Sequence, residues 1–156
     1  MGTRNQAMKL VIGAMLSASC LLVGVATANQ QVVETRQGHL KDLGEAFKAV
    51  RDELRKSQPN MSQITQSAGQ IDKLVGDMNN WFPKESAPGA GIKTDAKPEI
   101  WSDPQGFTAA VSKLQTEAPK LLTLAKASDA DGLKKQVGAV GGACKGCHDK
   151  YRVPQD

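Results

Sequence analysis

The sequence predicts an all-α protein, an antiparallel four-helix bundle, and three observations predict it. Four stretches carry apolar or small residues at alternating spacings of three and four, turn-forming residues separate them, and no run shows sustained period-two alternation. Spacings of three and four keep one face of a helix apolar, whereas a half-buried strand needs a spacing of two.

The first stretch has Leu40, Leu43, Phe47, Val50 and Leu54; the second has Met61, Ile64, Ala68, Ile71, Val75, Met78 and Phe82. The third has Phe107, Val111, Leu114, Ala118, Leu121 and Ala125; the fourth has Leu133, Val137, Val140, Cys144, Cys147 and Tyr151. "SQPN" (Ser57 to Asn60) stops the first helix and offers Asn60, or Ser62 just beyond it, as a cap for the second. Asp103 and Pro104 form an N-cap followed by proline at the first helical position, and "SDAD" (Ser128 to Asp131) turns the third helix into the fourth with acidic caps. The link from Pro83 to Ser102 holds three prolines and two glycines and is long enough to cross over the bundle. Pro119 opposes the pattern: inside the third stretch it should kink the helix or interrupt a turn.

The 156 residues suit one domain. Residues 1–28 read as an export signal. Arg4 and Lys9 precede a run without charge from Leu10 to Ala28, and "ATA" (Ala26 to Ala28) puts small residues where signal peptidase needs them. An uncleaved membrane anchor is the alternative, which the Ser and Gly content and the small-residue ending disfavour. Cys20 sits in "LSASC", a poor lipobox, and leaves with the signal. Residues 29–156 then form the exported bundle, placed in the periplasm. Without Arg4 and Lys9, 18 basic residues face 16 acidic ones, and no basic stripe invites nucleic acid. No general acid–base pair beside a substrate cavity stands out, so the chain does not read as an enzyme.

Two cysteines remain in the exported chain, both in Cys144-Lys145-Gly146-Cys147-His148. A C-x-x-C loop closes too little chain for a useful scaffold disulfide. A thioredoxin-type dithiol would want a preceding strand, and a zinc site would want further ligands, yet His39 is the one other histidine. C-x-x-C-H is the attachment signature of c-type haem: the thiols add to the two vinyl groups, and the adjacent histidine is delivered to the iron. Both cysteines lie on the apolar seam of the last helix, so the macrocycle enters the core near the C-terminal helix.

"TRQGHL" (Thr35 to Leu40), "KPEIWSD" (Lys97 to Asp103) and "CKGCHDKYR" (Cys144 to Arg152), in this order on an exported four-helix bundle, resemble the cytochrome c′ family of class II c-type cytochromes. The resemblance covers essentially the whole exported chain. It implies one haem c attached through Cys144 and Cys147, with His148 as the proximal iron ligand. It implies Arg36 and Gln37 near the haem propionates, and Arg152, one turn beyond His148, beside the proximal face. Arg152 also complements the helix dipole, and Gln37 reads equally as an exposed residue of the first helix.

The far side of the iron decides the chemistry. Low-spin members of the family supply a methionine four residues after the arginine of "RQ"; here that residue is Leu40, which cannot coordinate iron. The resemblance therefore implies a five-coordinate, high-spin haem with Leu40, Leu43 and Trp81 above it, binding nitric oxide, with carbon monoxide as a probe, and capable of one-electron transfer. The alternative is a six-coordinate electron-transfer cytochrome with His39, Met61 or Met78 as sixth ligand. A redox partner is implied without being identified. Members are often homodimers through their first two helices, and Ala46, read as exposed, with Ala68 and Gly69, would permit close approach.

Overall fold

The computed structural model describes the backbone of residues 17–154 and the side chains of residues 29–154, Ala90 excepted in both. The expected export signal, residues 1–28, lies outside the residues whose side chains are described. No helix among the described residues is long and apolar enough to cross a membrane.

Four long helices form the bundle: α1 (Ser17–Leu54), α2 (Met61–Asp77), α4 (Pro104–Lys126) and α5 (Ala130–Tyr151). A single turn, α3 (Glu99–Ser102), lies in the link between α2 and α4. The caps are those the sequence names. Asn60 Oδ1 accepts from the Gln63 amide at 3.1 Å, Asp103 Oδ1 from Gly106 at 3.0 Å, and Asp129 Oδ1 from Gly132 at 2.9 Å. The α1–α2 turn adds a buried carboxylate: Glu53 accepts from Lys56 Nζ at 2.5 Å and from the Asn60 amide at 3.0 Å.

α1 packs on α2, α2 on α4, and α4 on α5, all antiparallel. Arg36, early in the described part of α1, reaches Trp81 beyond the end of α2; Gln115 Nε2 of α4 donates to Val75 O of α2 at 3.1 Å; Lys150, near the end of α5, binds Asp103 at the start of α4. The seams are the predicted ones. Val50, Ile64, Ala68, Ile71, Val111, Ala118, Leu121 and Leu133 are fully enclosed, each large aliphatic contributing about 1.5–3 kcal/mol by leaving water.

The third helix is kept through Pro119, which lies on the exposed face of α4 beside buried Ala118, and the helix runs on to Lys126. Two expectations change. The link does not cross the bundle. Its two ends sit at the same end of the molecule, where it forms a 3-10 turn at Lys84–Ser86 and then α3. Ala46 is buried inside the bundle rather than exposed, because it continues the seam of Leu43–Val50; Ala68 lies on its predicted seam, and half-buried Gly69 faces Leu122 of α4.

Asp103 ties α4 to α5. Its Oδ2 accepts from Lys150 Nζ at 2.6 Å and from the Tyr151 hydroxyl at 3.2 Å. The Lys150 hydrogen bond, then the Gly106 amide, holds the Asp103 carboxyl below the usual carboxylate range. A depressed acid stabilises the fold above its unfolded-state pKa of about 4, and that contribution disappears as pH falls through the lower folded value. Asp103→Asn keeps the cap acceptor and loses the charge, so thermal melting below pH 4 should fall less steeply with acid than in the parent. Gly106 is fixed by close approach, since a Cβ there would lie 2.2 Å from Asp103 Oδ2 and 2.7 Å from the Tyr151 hydroxyl. Gly106→Ala should therefore cost about 1–2 kcal/mol in denaturant titration, on the scale of a lost cap. Gly138→Ala on α5, where a Cβ meets nothing within 4 Å, should gain about 0.5–1 kcal/mol.

Candidate functional site: a cavity between the first and last helices

The fourth seam, between α1 and α5, is the one that packs least. Phe47 of α1 rests near Gly141 of α5, its Cζ 3.6 Å from where a Cβ would stand. From there toward the link the two helices part around a cavity of ≈ 520 Å³. α1 contributes Arg36, Gln37, Leu40, Leu43 and Phe47, and α5 contributes Val140, Cys144, Cys147, His148 and Tyr151. Ile71 and Met78 line it from the α2 side, and Phe107, Val111 and Leu114 from α4. The wall is overwhelmingly apolar because all four seams converge on it.

The link closes the open end as a strap. Residues 94–96 line the cavity and are held from both helices. Gln30 Oε1 accepts from the Lys93 amide at 3.0 Å, and Arg36 Nη2 donates to Thr94 Oγ1 at 2.9 Å. On the α5 side the Val153 amide donates to Asp95 O at 2.8 Å and the Lys97 amide to Tyr151 O at 2.9 Å.

The two free thiols line the same cavity from one face of α5, spaced three residues apart. Burial pushes both thiols up from their ordinary pKa, and for Cys147 the neighbouring Cys144 adds to the shift. The lowered thiol pKa typical of a redox dithiol lies in the opposite direction. His148 lines the cavity in the next position. Partial burial and the nearby Arg152 charge hold its imidazole below the usual histidine pKa, favouring the neutral form a metal ligand needs. Arg152 caps α5: its amide donates to His148 O at 3.0 Å, and its Nη2 lies 3.9 Å from Asp95 Oδ2. It lines the cavity and stays exposed, as does Gln37.

Arg36 is the polar exception in the wall. It is 2% exposed, yet among the described residues no carboxylate stands within ion-pair distance of it. Ser86 Oγ, Thr94 Oγ1 and the Trp81 carbonyl accept from it, and burial lowers its pKa. A guanidinium has five N–H donors, so three hydrogen bonds leave some free for an anion in the cavity. An apolar slot of this size, two protonated thiols, a neutral imidazole and a buried cation lacking an anion together fit a flat, apolar macrocycle bearing carboxylates.

Three named residues are not brought into the cavity. After Asp77 the chain tightens into a 3-10 turn, Met78–Trp81. Trp81 is buried there, stacked on His39 with ring centroids 5.0 Å apart, its Nε1 donating to Asp77 at 3.3 Å. Phe82 lines the cavity instead. The Val75–Met78–Phe82 spacing already carried that signal. His39 is likewise absent from the lining, and so is Met61, whereas Met78 is present. The strap residues Thr94, Asp95 and Ala96 carry no periodic signal in the sequence and could not be found from it.

The chain is similar to known cytochromes. The family profile described as Cytochrome C′ matches residues 31–152. A cytochrome c′ from Pararhodospirillum photometricum is 33% identical over 77% of this chain and 94% of its own length. One from Rubrivivax gelatinosus is 48% identical over 40% of this chain and 48% of its own length. Similar solved structures include a nitric oxide complex of a mutant cytochrome c prime from Alcaligenes xylosoxidans, with TM-score 0.72 and 29% identity over 81% of this chain and 97% of that one. Another is a cytochrome c′ with an unusual ligand-controlled dimer dissociation, with TM-score 0.75 and 26% identity over the same shares. With the profile spanning most of its length, the chain belongs to the cytochrome c′ family, the class II c-type cytochromes, whose one cofactor is a covalently bound c-type haem.

Proposed function

We propose that this protein is a periplasmic cytochrome c′ whose five-coordinate haem binds nitric oxide or another small neutral gas and can exchange single electrons. Cys144 and Cys147 would carry the thioethers, His148 the iron ligand, and Arg36 and Gln37 the propionates. Bound haem supplies an iron that cycles between ferric and ferrous and has one position open to a small ligand.

The observation that carries this reading is Leu40. It lines the cavity from α1, facing the α5 residues that would hold the haem, and offers the iron nothing but hydrocarbon. Leu43 and Phe82 extend that apolar surface, so a ligand entering there must be small and uncharged. His39, one residue away, is engaged with Trp81. Arg152 stands at the end of α5, four residues after the candidate ligand, where its charge bears on His148. The nitric oxide complex of the Alcaligenes relative supports the choice of gas, and the relative with ligand-controlled dimer dissociation supports a homodimer. Export of residues 29–156 after cleavage before Asn29 completes the reading, because c-type haem is attached outside the bacterial cytoplasm.

One observation favours a second reading. Met78 lines the cavity, and a thioether that reached the iron would make a six-coordinate electron-transfer cytochrome.

The visible spectrum of the purified, dithionite-reduced protein, taken before and after adding carbon monoxide, separates the two. A broad high-spin Soret band that sharpens and shifts with the gas is expected; sharp low-spin bands indifferent to it would move the assignment to Met78. Leu40→Met should convert the spectrum to low-spin and weaken carbon monoxide binding, whereas Met78→Leu should leave the ligand-free spectrum unchanged. Mass spectrometry of the periplasmic protein should give a chain beginning at Asn29 with one haem that acid–acetone cannot extract, and a start at Met1 would contradict the processing.

A further inference from the structure

We propose that Arg36 is a positioning residue for the gas pocket: its guanidinium clamps the link after α2 and so fixes Phe82 as a wall of the cavity. This role is separate from any contact with a propionate, and it rests on the reading of the cavity as a gas site.

Phe82 needs such a support. It follows the 3-10 turn at φ −121° and ψ 54°, outside any regular element, so no helical ladder sets the direction of its ring. The Arg36 guanidinium carbon lies 4.8 Å from the Phe82 ring centroid, and the Phe107 ring meets it edge-on at 4.8 Å. A delocalised, weakly hydrated cation over a ring is stabilising where water is excluded, and Arg36 is almost wholly enclosed. Phe82 is therefore held between a cation from α1 and an aromatic ring from α4.

The same guanidinium grips the link on both sides of its loop. Before the loop, Nη1 donates to Ser86 Oγ at 2.6 Å and to the Trp81 carbonyl at 3.4 Å. The fully buried Ser86 hydroxyl donates its own hydrogen bond to Pro83 O at 2.8 Å. After the loop, Nη2 donates to Thr94 Oγ1 at 2.9 Å, and that oxygen also accepts from the Ala96 amide at 3.1 Å. A planar fork can serve these directions while stacking on Phe82; a lysine ammonium keeps the charge and loses the plane. The link has little core of its own, so loss of the fork should release the segment and the ring together.

The test uses the haem-loaded protein, comparing Arg36→Lys, Phe82→Leu and the double variant with the parent. Amide hydrogen exchange over residues 82–96 reads the clamp, and carbon monoxide association after flash photolysis reads the pocket. In Arg36→Lys, exchange over 82–96 should rise about tenfold while α4 stays protected. Carbon monoxide association should shift in the same direction as in Phe82→Leu, and the double variant should show less than the sum of the two. Ser86→Ala with Thr94→Val, which removes two acceptors and leaves the arginine, should loosen the same segment and keeps the test open if Arg36→Lys folds poorly. Parent-like exchange in both the lysine and the acceptor variants would overturn the clamp. Strictly additive carbon monoxide effects would overturn the link from Arg36 to Phe82. A parent protein that binds no carbon monoxide would refute the gas site itself, while the exchange arm would still decide whether Arg36 holds the link.

Discussion

The structure turns on one open seam. Three of the four helix contacts, α1 on α2, α2 on α4 and α4 on α5, bury their apolar stripes against each other, and the fourth, between α1 and α5, is held apart. A bundle whose helices all present one apolar face would ordinarily close that seam by hydrophobic burial. Here a cavity lies along that seam, with contacts at both of its ends. Phe47 meets Gly141 at one end, and at the other the strap from Lys93 to Lys97 is hydrogen-bonded to α1 and to the end of α5. The slot between them is where Cys144, Cys147 and His148 look across at Leu40 and Leu43.

Charge is arranged around that slot economically. Asp103 gathers Lys150, Tyr151 and the Gly106 amide on one carboxylate, locking the start of α4 to the last turn of α5 beside the haem-attachment segment. Arg36 is the opposite case, a buried cation satisfied by two hydroxyls, a carbonyl and a ring. Burying a charge without a counterion is costly, so an anion arriving with the cofactor would complete a site the polypeptide leaves one charge short.

Most of this was legible in the sequence, for reasons that differ by region. The four helices and their caps were readable because spacing and capping are local: Asn60, Asp103 and Asp129 each cap the helix they precede. Cys144, Cys147 and His148 were readable because one turn of helix places them on a shared face. The misreadings fall where local rules stop. Trp81, implied by the resemblance to stand over the haem, stacks instead on His39, while Phe82, already on the second seam, lines the cavity. Ala46 belongs to the seam it sits on, and a small residue on a seam marks close helix packing within the chain as readily as between chains. The strap at 93–97 is made by backbone and side-chain hydrogen bonds between distant segments, which leave no pattern in either.

The gas-binding and electron-transfer readings share every covalent feature and part only at one side chain over the iron. Leu40 and Met78 both line the cavity, one unable to coordinate and the other able. The most direct measurement is electron paramagnetic resonance of the purified ferric protein at neutral pH, which reports the ligand field without any added ligand. A high-spin signal that Met78→Leu does not alter is the result predicted for iron facing Leu40. A low-spin signal that Met78→Leu abolishes would contradict it and make the protein a six-coordinate electron carrier.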